Sequence, residues 1–172
     1  MSLADFKIKQ GRVDEGKELL EAIAKKAPDF VPVRIRLAEL ALSQRDYEQC
    51  AAVLKSILSS GQANYDAQFL QGRLYLARGD TAEALKEFQR LPTAFPKVLQ
   101  LHHQLALVHL ANRDVTTATA SLNEALKLDP QYTDGILLKA ELNIRNGDYL
   151  QAIAALKGLS GSDTNLVQMD ML

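Results

Sequence analysis

Four short polar turns recur in this chain at a fixed interval of 34 residues, and this interval constrains the fold more than any other feature of the sequence. Each turn has an aspartate followed by tyrosine, threonine or valine. The turns read QRDY, RGDT, NRDV and NGDY, with aspartates at Asp46, Asp80, Asp114 and Asp148. A fixed period of this length predicts stacked repeats, each of which is one supersecondary unit.

Small and large residues recur in the same register around each turn. Small residues precede the turns at Ala38, Gly72, Ala106 and Ala140, and others follow them at Cys50, Ala84, Ala118 and Ala152. Large apolar residues come four positions later, at Leu54, Phe88, Leu122 and Leu156. Spacings of three, four and seven place residues on one helical face. Each period therefore predicts two short antiparallel helices that touch at their small residues and bury their apolar faces by stacking on neighbours.

The period, the helix-turn-helix unit and the small–large pattern resemble the tetratricopeptide repeat (TPR) family. The segments GDTAEALKEF at 79–88 and SLNEALKLDP at 121–130 are similar to the second-helix signature of that family. The resemblance implies an all-α, right-handed α-solenoid of stacked antiparallel hairpins. In its richness in alanine, leucine and glutamine, the chain is similar to bacterial TPR proteins.

The register divides the chain into repeats. We expect full TPR units at 31–64, 65–98, 99–132 and 133–163. A partial unit at 1–30 should hold the end of a first helix and a whole second helix. Residues 164–172 should begin a further, truncated first helix, with Asp163 or Thr164 as its N-cap. These ends indicate a segment taken from a longer array.

Glycine and proline mark where helices should end. Pro92 should stop a second helix at the residue before it, because proline lacks an amide proton and disfavours helix in its predecessor. Gly61 should end another second helix in a left-handed conformation. The Arg-Gly-Asp tripeptide at 78–80 matches an adhesion-receptor motif, yet it falls in the turn register. We interpret it as a turn in which Gly79 supplies unusual backbone angles and Asp80 caps the next helix.

Composition argues against several functional classes. The net charge is −1, so the chain offers phosphate backbones no long-range attraction, and nucleic acid is not expected as a partner. Apolar stretches are interrupted by charges well before the ~20 residues that a membrane span needs. The single cysteine, Cys50, excludes an intramolecular disulfide and a multi-cysteine metal site, and we interpret it as a small buried thiol.

The histidines do not indicate a metal site. His102 and His109 lie seven residues apart on one helical face, but a metal site needs a third and usually a fourth ligand. No phosphate-binding loop or nucleophile elbow occurs, and the carboxylates are scattered. We therefore predict no metal, no cofactor and no enzymatic activity, and interpret the histidines as packing or surface residues.

The resemblance implies that the first helices line the concave face of the superhelix. The candidate partner-binding residues are Ile35, Glu39, Phe69, Arg73, His103, Leu107, Leu137 and Glu141. Phe69 and Leu107 are the expected apolar anchors, while Arg73 and Glu141 are expected to orient a partner through charge. Such a stripe suits an amphipathic helix or an extended apolar segment. The lysine-and-asparagine clamp with which one TPR subtype grips chaperone tails is absent at these positions.

We thus predict a non-catalytic protein-interaction scaffold whose partner is a protein or peptide segment. Three alternatives stay open: self-assembly into a homo-oligomer, regulation of an enzyme domain elsewhere in the parent chain, and a bacterial cell-envelope role in exopolysaccharide export or protein sorting. No direct membrane insertion is expected. The sequence does not choose between a cytoplasmic and an envelope location.

Overall fold

The computed structural model describes residues 2–59, 64–91 and 98–169, with side chains from residue 99 to residue 159 in the last range. Within these ranges helix is the only regular secondary structure, which confirms the all-α prediction. The ten helices found there are α1 (Leu3–Lys9), α2 (Val13–Lys26), α3 (Val31–Ser43), α4 (Tyr47–Leu58), α5 (Tyr65–Arg78), α6 (Thr81–Arg90), α7 (Val98–Ala111), α8 (Val115–Leu128), α9 (Thr133–Arg145) and α10 (Tyr149–Met169).

Consecutive helices pair as hairpins, and the hairpins form two compact units. The first unit, Met1–Leu91, contains the hairpins α1–α2, α3–α4 and α5–α6. In this unit α2 packs on α3, α4 packs on α5, and the first helices α3 and α5 contact each other. The second unit, Pro92–Leu172, contains α7–α8 and α9–α10, with α8 packed on α9. Each unit is therefore a stack of helical hairpins of the solenoid type.

At a hairpin turn, one aspartate forms hydrogen bonds with the end of the first helix and the start of the second. The backbone N–H of Asp46 donates to the carbonyl of Ala41 at 2.8 Å, which satisfies one of the last carbonyls of α3. Its carboxylate accepts a hydrogen bond from the backbone N–H of Gln49 at 3.0 Å and so caps the start of α4. Asp114 does the same between α7 and α8, where its carboxylate accepts from the Thr117 N–H at 3.0 Å. At these two turns the hydrogen bonds account for the aspartate.

The Arg-Gly-Asp tripeptide forms the same kind of turn. Arg78 is the last residue of α5, and Gly79 has a φ of 85° in the left-handed region. The backbone N–H of Asp80 donates to the Tyr75 carbonyl at 2.9 Å. The interpretation as a turn is thus confirmed, but the expected side-chain cap is wrong. Asp80 occupies the N-cap of α6 without accepting a capping hydrogen bond, and the Thr81 N–H donates instead to the Gly79 carbonyl at 2.9 Å.

The small–large pattern forms the core of each unit. The small residues at the helix crossings are buried, and Ala38, Cys50, Ala106 and Ala118 are 0 % exposed. Of the four large residues, Leu54, Phe88 and Leu122 are at most 1 % exposed. Leu156 is the exception at 39 %, because no helix follows α10 in the described residues to cover it.

Predictions about helix ends had mixed outcomes. Helix α6 ends at Arg90 with Leu91 as its C-cap, as expected for the residues before Pro92. Pro92 itself and the expected glycine cap at Gly61 lie outside the described residues. The predicted new helix at 163–164 is wrong, because α10 continues without a break to Met169. The Ser, Gly and Asp residues of that stretch cost a helix only up to ~1 kcal/mol each, and no proline interrupts it. The repeat boundaries stay predictions.

Candidate functional site

In the first unit, Ile35 lies between the core and the surface. It is 8 % exposed and belongs to a cluster with Leu70 and Leu74 of α5. It also lines a cleft of about 320 Å³ between the starts of α3 and α5, beside Arg36 and Asp66. The structure therefore assigns Ile35 mainly to packing, with only its edge open to a partner.

Phe69 is half-buried in a row of three aromatic rings. Its ring stacks on Tyr65 with centroids 6.1 Å apart and an interplanar angle of 13°. It is tilted by 57° against Phe88 of α6, with centroids 5.7 Å apart. Both separations are typical of favourable aromatic pairs. This row was not predicted, although the four-residue spacing of Tyr65 and Phe69 on one helical face is a signal for their contact.

The two charged candidates of the first unit differ in their surroundings. Arg73 is exposed and makes no ion pair within the described part of the chain. Glu39 is half-buried and paired with Arg36, whose guanidinium also donates to the Asp5 carboxylate at 2.9 Å. The hydrogen bonds from Arg36, with a smaller contribution from Ser2, lower the pKa of Asp5 to about 2. Arg73 is thus available to a partner, whereas Glu39 is already neutralised.

Arg36 forms two ion pairs that were not predicted from the sequence. Its spacing of three from Glu39 is the usual one for an ion pair on a helix. The link from α3 to Asp5 in α1 spans 31 residues and could not be read from local spacing.

In the second unit, His103 and Leu107 are half-buried on α7. The ring of His103 meets Tyr132 edge-on, with centroids 5.5 Å apart and an interplanar angle of 88°. Burial lowers the pKa of His103, while the nearby Asp134 acts in the opposite direction. His103 is therefore mostly neutral at pH 7 and offers a ring rather than a charge. Leu107 packs against the core cluster that contains Leu138.

Leu137 and Glu141 are the most open candidates of the second unit. Leu137 is 47 % exposed, although its neighbour Leu138 is buried. Glu141 is exposed and accepts a hydrogen bond from Arg145 at 2.5 Å, one helical turn later. An exposed pair of this kind contributes little to stability, so a partner can replace it.

The structure thus sorts the eight candidates by accessibility. Three are exposed: Arg73, Leu137 and Glu141. Four are half-buried: Glu39, Phe69, His103 and Leu107. Ile35 is buried. The role of these residues in binding stays a prediction.

Within the described ranges, the side chains that could bind a metal ion lie apart from one another. Among these residues no three His, Cys, Asp or Glu side chains come together where they could hold a metal ion. His109 Nδ1 lies 4.0 Å from a carboxylate oxygen of Asp114, its partner across the turn. Cys50 is fully buried, and burial raises the pKa of its thiol to about 11. In the described ranges no helix has the length and apolar character that crossing a bilayer demands.

Comparison with known proteins connects the hairpins to one family. The tetratricopeptide repeat family model matches this chain three times, at residues 7–67, 41–106 and 109–171. The matches cover nearly the whole chain and confirm the resemblance.

Two relatives from Escherichia coli are similar over 151 residues. They are the putative cellulose synthase operon protein C of strain O157:H7, at 27 % identity, and cellulose synthase operon protein C of strain K12, at 26 %. Each match covers 84 % of this chain but only 13 % of the relative. BBSome complex member BBS4 of Mus musculus is 32 % identical over 109 residues, which are 62 % of this chain and 21 % of that protein.

Solved structures with the same architecture support the fold. A thermophilic TPR protein of Thermus thermophilus superposes with a TM-score of 0.81 at 21 % identity, covering 91 % of this chain and 86 % of that one. The crystal structure of MamA superposes with a TM-score of 0.66 at 15 % identity and covers 98 % of both chains. At these identities the likeness shows an all-α helical repeat fold and nothing about partners.

Proposed function

The chain belongs to the tetratricopeptide repeat family, and from this premise we propose that it is a non-catalytic scaffold that binds a protein segment on its first helices. The observation that carries the proposal is the placement of accessible apolar side chains beside charges on those helices. In α5 the half-buried Phe69 precedes the exposed Arg73 by one turn, and in α9 the exposed Leu137 precedes Glu141 by one turn.

The mechanism is binding to a preorganised surface. The Phe69 ring is held between Tyr65 and Phe88, so it loses little conformational freedom when a partner covers it. Covering apolar surface contributes roughly 25 cal/mol per Å² before the costs of association. Arg73 makes no ion pair within the described residues and can meet a carboxylate of the partner. An exposed pair of this kind adds orientation and association rate more than affinity.

The partner that fits this surface is an amphipathic helix or an extended segment. On the first unit its apolar side chains would lie on Phe69 and an acidic residue would face Arg73. On the second unit its apolar side chains would lie on Leu137. Helices in grooves and extended segments are both recurring modes of peptide recognition.

The test uses the full-length parent protein and compares the partners it retains before and after substitution. Arg73→Glu and Leu137→Glu change exposed side chains, so the fold is expected to persist by circular dichroism. We expect these two variants together to reduce partner capture by at least about tenfold, which is a loss of about 1.4 kcal/mol. Matched controls are Lys55→Glu on α4 and Leu128→Glu on α8, both at exposed positions of second helices. Equal capture by the wild type and the double variant would contradict the proposal.

A narrower candidate is favoured by the relatives. Over 84 % of its length the chain is similar to proteins named for a cellulose synthase operon, so the parent protein would serve exopolysaccharide production. A chimera in which these repeats replace the matched 151 residues of the K12 relative tests this role. Cellulose production in a strain that lacks the native protein would support it. A folded, expressed chimera that leaves the strain without cellulose would count against it.

Self-assembly is the remaining candidate, and exposed apolar side chains of α10 favour it. Leu150 is 84 % exposed, and Ile153 on the same helix is 49 % exposed. Light scattering over a dilution series of the full-length protein separates this candidate from partner binding. A mass that is constant on dilution and equal to that of one chain would exclude self-assembly, whereas an oligomer dispersed by Leu150→Glu would establish it.

A further inference from the structure

A cleft of about 490 Å³ lies in the second unit, bounded by α8, α9 and α10. Its floor is one face of α9, with Ile136, Lys139 and Asn143, and α10 forms one wall. Leu126 near the end of α8 and Pro130 in the following turn form the other side. The volume is within the range of roughly 300 to 1,000 Å³ that ligand sites occupy in proteins.

The cleft and the candidate partner surface lie on different faces of α9. The cleft uses positions 136, 139 and 143, while the partner surface uses positions 137 and 141. At 3.6 residues per turn, the centres of these two sets are about 150° apart around the helix axis. A ligand in the cleft therefore does not compete with a partner bound to Leu137 and Glu141.

Small residues of α10 keep the cleft open. Ala154, Ala155 and Gly158 line it, and a Cβ placed on Gly158 would have no neighbouring atom within 4 Å. Two periods earlier in the repeat register, α6 carries Lys86, Glu87 and Arg90 at the corresponding positions. Three long charged side chains would fill a space that these three small residues leave vacant.

Lys139 is the charged residue that lines the cleft, and no carboxylate lines it. One period earlier the register has Leu105, so a charge replaces an apolar residue. Lys139 is half-buried, and its ammonium donates to the amide oxygen of Asn123 at 3.3 Å. It makes no ion pair among the described residues, and the cleft is lined by amides and apolar groups without a carboxylate. A half-buried charge of this kind favours an anionic ligand, because Glu124, which lines an adjacent pocket with Lys139, is already paired with Lys127.

We propose that this cleft binds a short protein segment in which an aspartate or glutamate lies beside an aliphatic side chain. The carboxylate would pair with Lys139, and the aliphatic group would lie on Ile136 and Ala155. The floor from position 136 to position 143 is about 10 Å long. Three extended residues at ~3.3 Å each have the same length, which favours a peptide segment over a small free acid.

The test titrates the isotope-labelled 172-residue chain with a blocked peptide and follows backbone amide shifts by NMR. The probe is acetyl-Leu-Glu-Leu-Ser-amide, and its twin has glutamine in place of glutamate. We expect shifts at Ile136, Ala154 and Ala155, with binding weakened at least about tenfold for the twin, which is the loss of one charge pair. Lys139→Met should weaken binding of the first probe by the same factor, because it keeps the chain length and removes the charge.

Two controls keep the result specific. Arg145→Met removes an exposed cation of α9 that does not line the cleft and should leave the affinity within about twofold. Isovalerate supplies a carboxylate and an aliphatic group without a peptide. The proposal is overturned if the peptide shifts no cleft amides at millimolar concentration, if Lys139→Met binds as well as the wild type, or if isovalerate binds as tightly as the peptide.

Discussion

The Phe88 ring occupies the space that a side chain on Gly72 would need. A Cβ built on Gly72 would lie 2.5 Å from Cε1 of Phe88, and Phe88 is 1 % exposed. The other three full hairpins carry alanine and leucine at these two positions, which are 16 residues apart in each case. The hairpin α5–α6 therefore exchanges the alanine–leucine pair for glycine and phenylalanine, and the two changes depend on each other.

We expect Gly72→Ala to destabilise the chain. Alanine gains roughly 0.5–1 kcal/mol over glycine from helix propensity. Against this, forcing a methyl group against a buried ring costs typically 1–3 kcal/mol. The expected net loss is on the order of 1 kcal/mol, measured as a lower urea midpoint of unfolding. An unchanged or higher midpoint would show that the ring moves aside without cost.

The double variant Gly72→Ala/Phe88→Leu is the matched control. It recreates the alanine–leucine pair of the neighbouring hairpins. Leucine at position 88 removes the clash with the new methyl group. The double variant should therefore lose about 1 kcal/mol less free energy of unfolding than the two single variants lose in sum. Additive effects would mean that the two positions are not coupled.

Two hairpin turns place arginine where the others have glycine. Arg45 and Arg113 both have a φ of 62°, whereas Gly11, Gly79 and Gly147 have φ of 79°, 85° and 82° at the same register. The left-handed region costs a residue with a Cβ roughly 1–2 kcal/mol. Glycine relieves this strain but also gains conformational entropy in the unfolded chain, which offsets part of the benefit. We therefore expect Arg45→Gly and Arg113→Gly each to raise the free energy of unfolding by roughly 0.5–1 kcal/mol. Thermal unfolding followed by circular dichroism measures this change.

Alanine at the same positions separates backbone strain from the arginine side chain. Arg45→Ala keeps the Cβ and removes only the exposed guanidinium. It should therefore leave the melting temperature near that of the wild type. If alanine stabilised the chain as much as glycine does, the strain explanation would be wrong.

The ion pair of Asp5 and Arg36 ties α1 to α3 and should make stability depend on pH. The hydrogen bond from Arg36 lowers the pKa of Asp5 from 3.8 to about 2. A carboxylate with a lowered folded-state pKa stabilises the fold above its unfolded pKa, and this contribution is lost as the pH falls from about 4 towards 2. The contribution is at most about 1 kcal/mol, because the partly exposed pair is screened by water and salt.

Arg36→Gln tests this link. The variant should be less stable than the wild type at pH 6, and the difference should disappear near pH 2. An NMR titration of the Asp5 carboxyl should show its pKa returning towards 3.8 in the variant. If Asp5 titrates at the same pH in both proteins, Arg36 does not hold it.

The fold could be predicted from the sequence because its determinants are local and periodic. Ala38 and Leu54 lie on facing helices of one hairpin, and the same spacing returns every 34 residues. Where local spacing did not decide, prediction failed. The continuation of α10 through Asp163 depends on small propensity differences, and the bare N-cap at Asp80 depends on one side-chain conformation.

The candidate site was predictable only as a set of positions. Register alone identified Phe69 and Arg73, but it could not say that Phe69 packs on Phe88 or that Arg73 lacks an ion pair among the described residues. Both facts depend on contacts between helices. The cleft at Lys139 was missed for the same reason, although a lysine where the preceding period has Leu105 is a departure visible in the sequence.

Cys50 should report the opening of the hairpin α3–α4. Its thiol is 0 % exposed, and burial raises its pKa to about 11, so native protein should react with a thiol reagent at least about 100-fold more slowly than urea-unfolded protein. Because the raised pKa favours the neutral thiol in the folded state, this residue should reduce stability as the pH rises from about 9 towards 11. Cys50→Ala recreates the residue found at Ala84, Ala118 and Ala152, so the variant should fold. Its free energy of unfolding should fall less than that of the wild type as the pH rises from about 9 towards 11. Rapid labelling of native Cys50 at pH 8 would show instead that this hairpin opens readily.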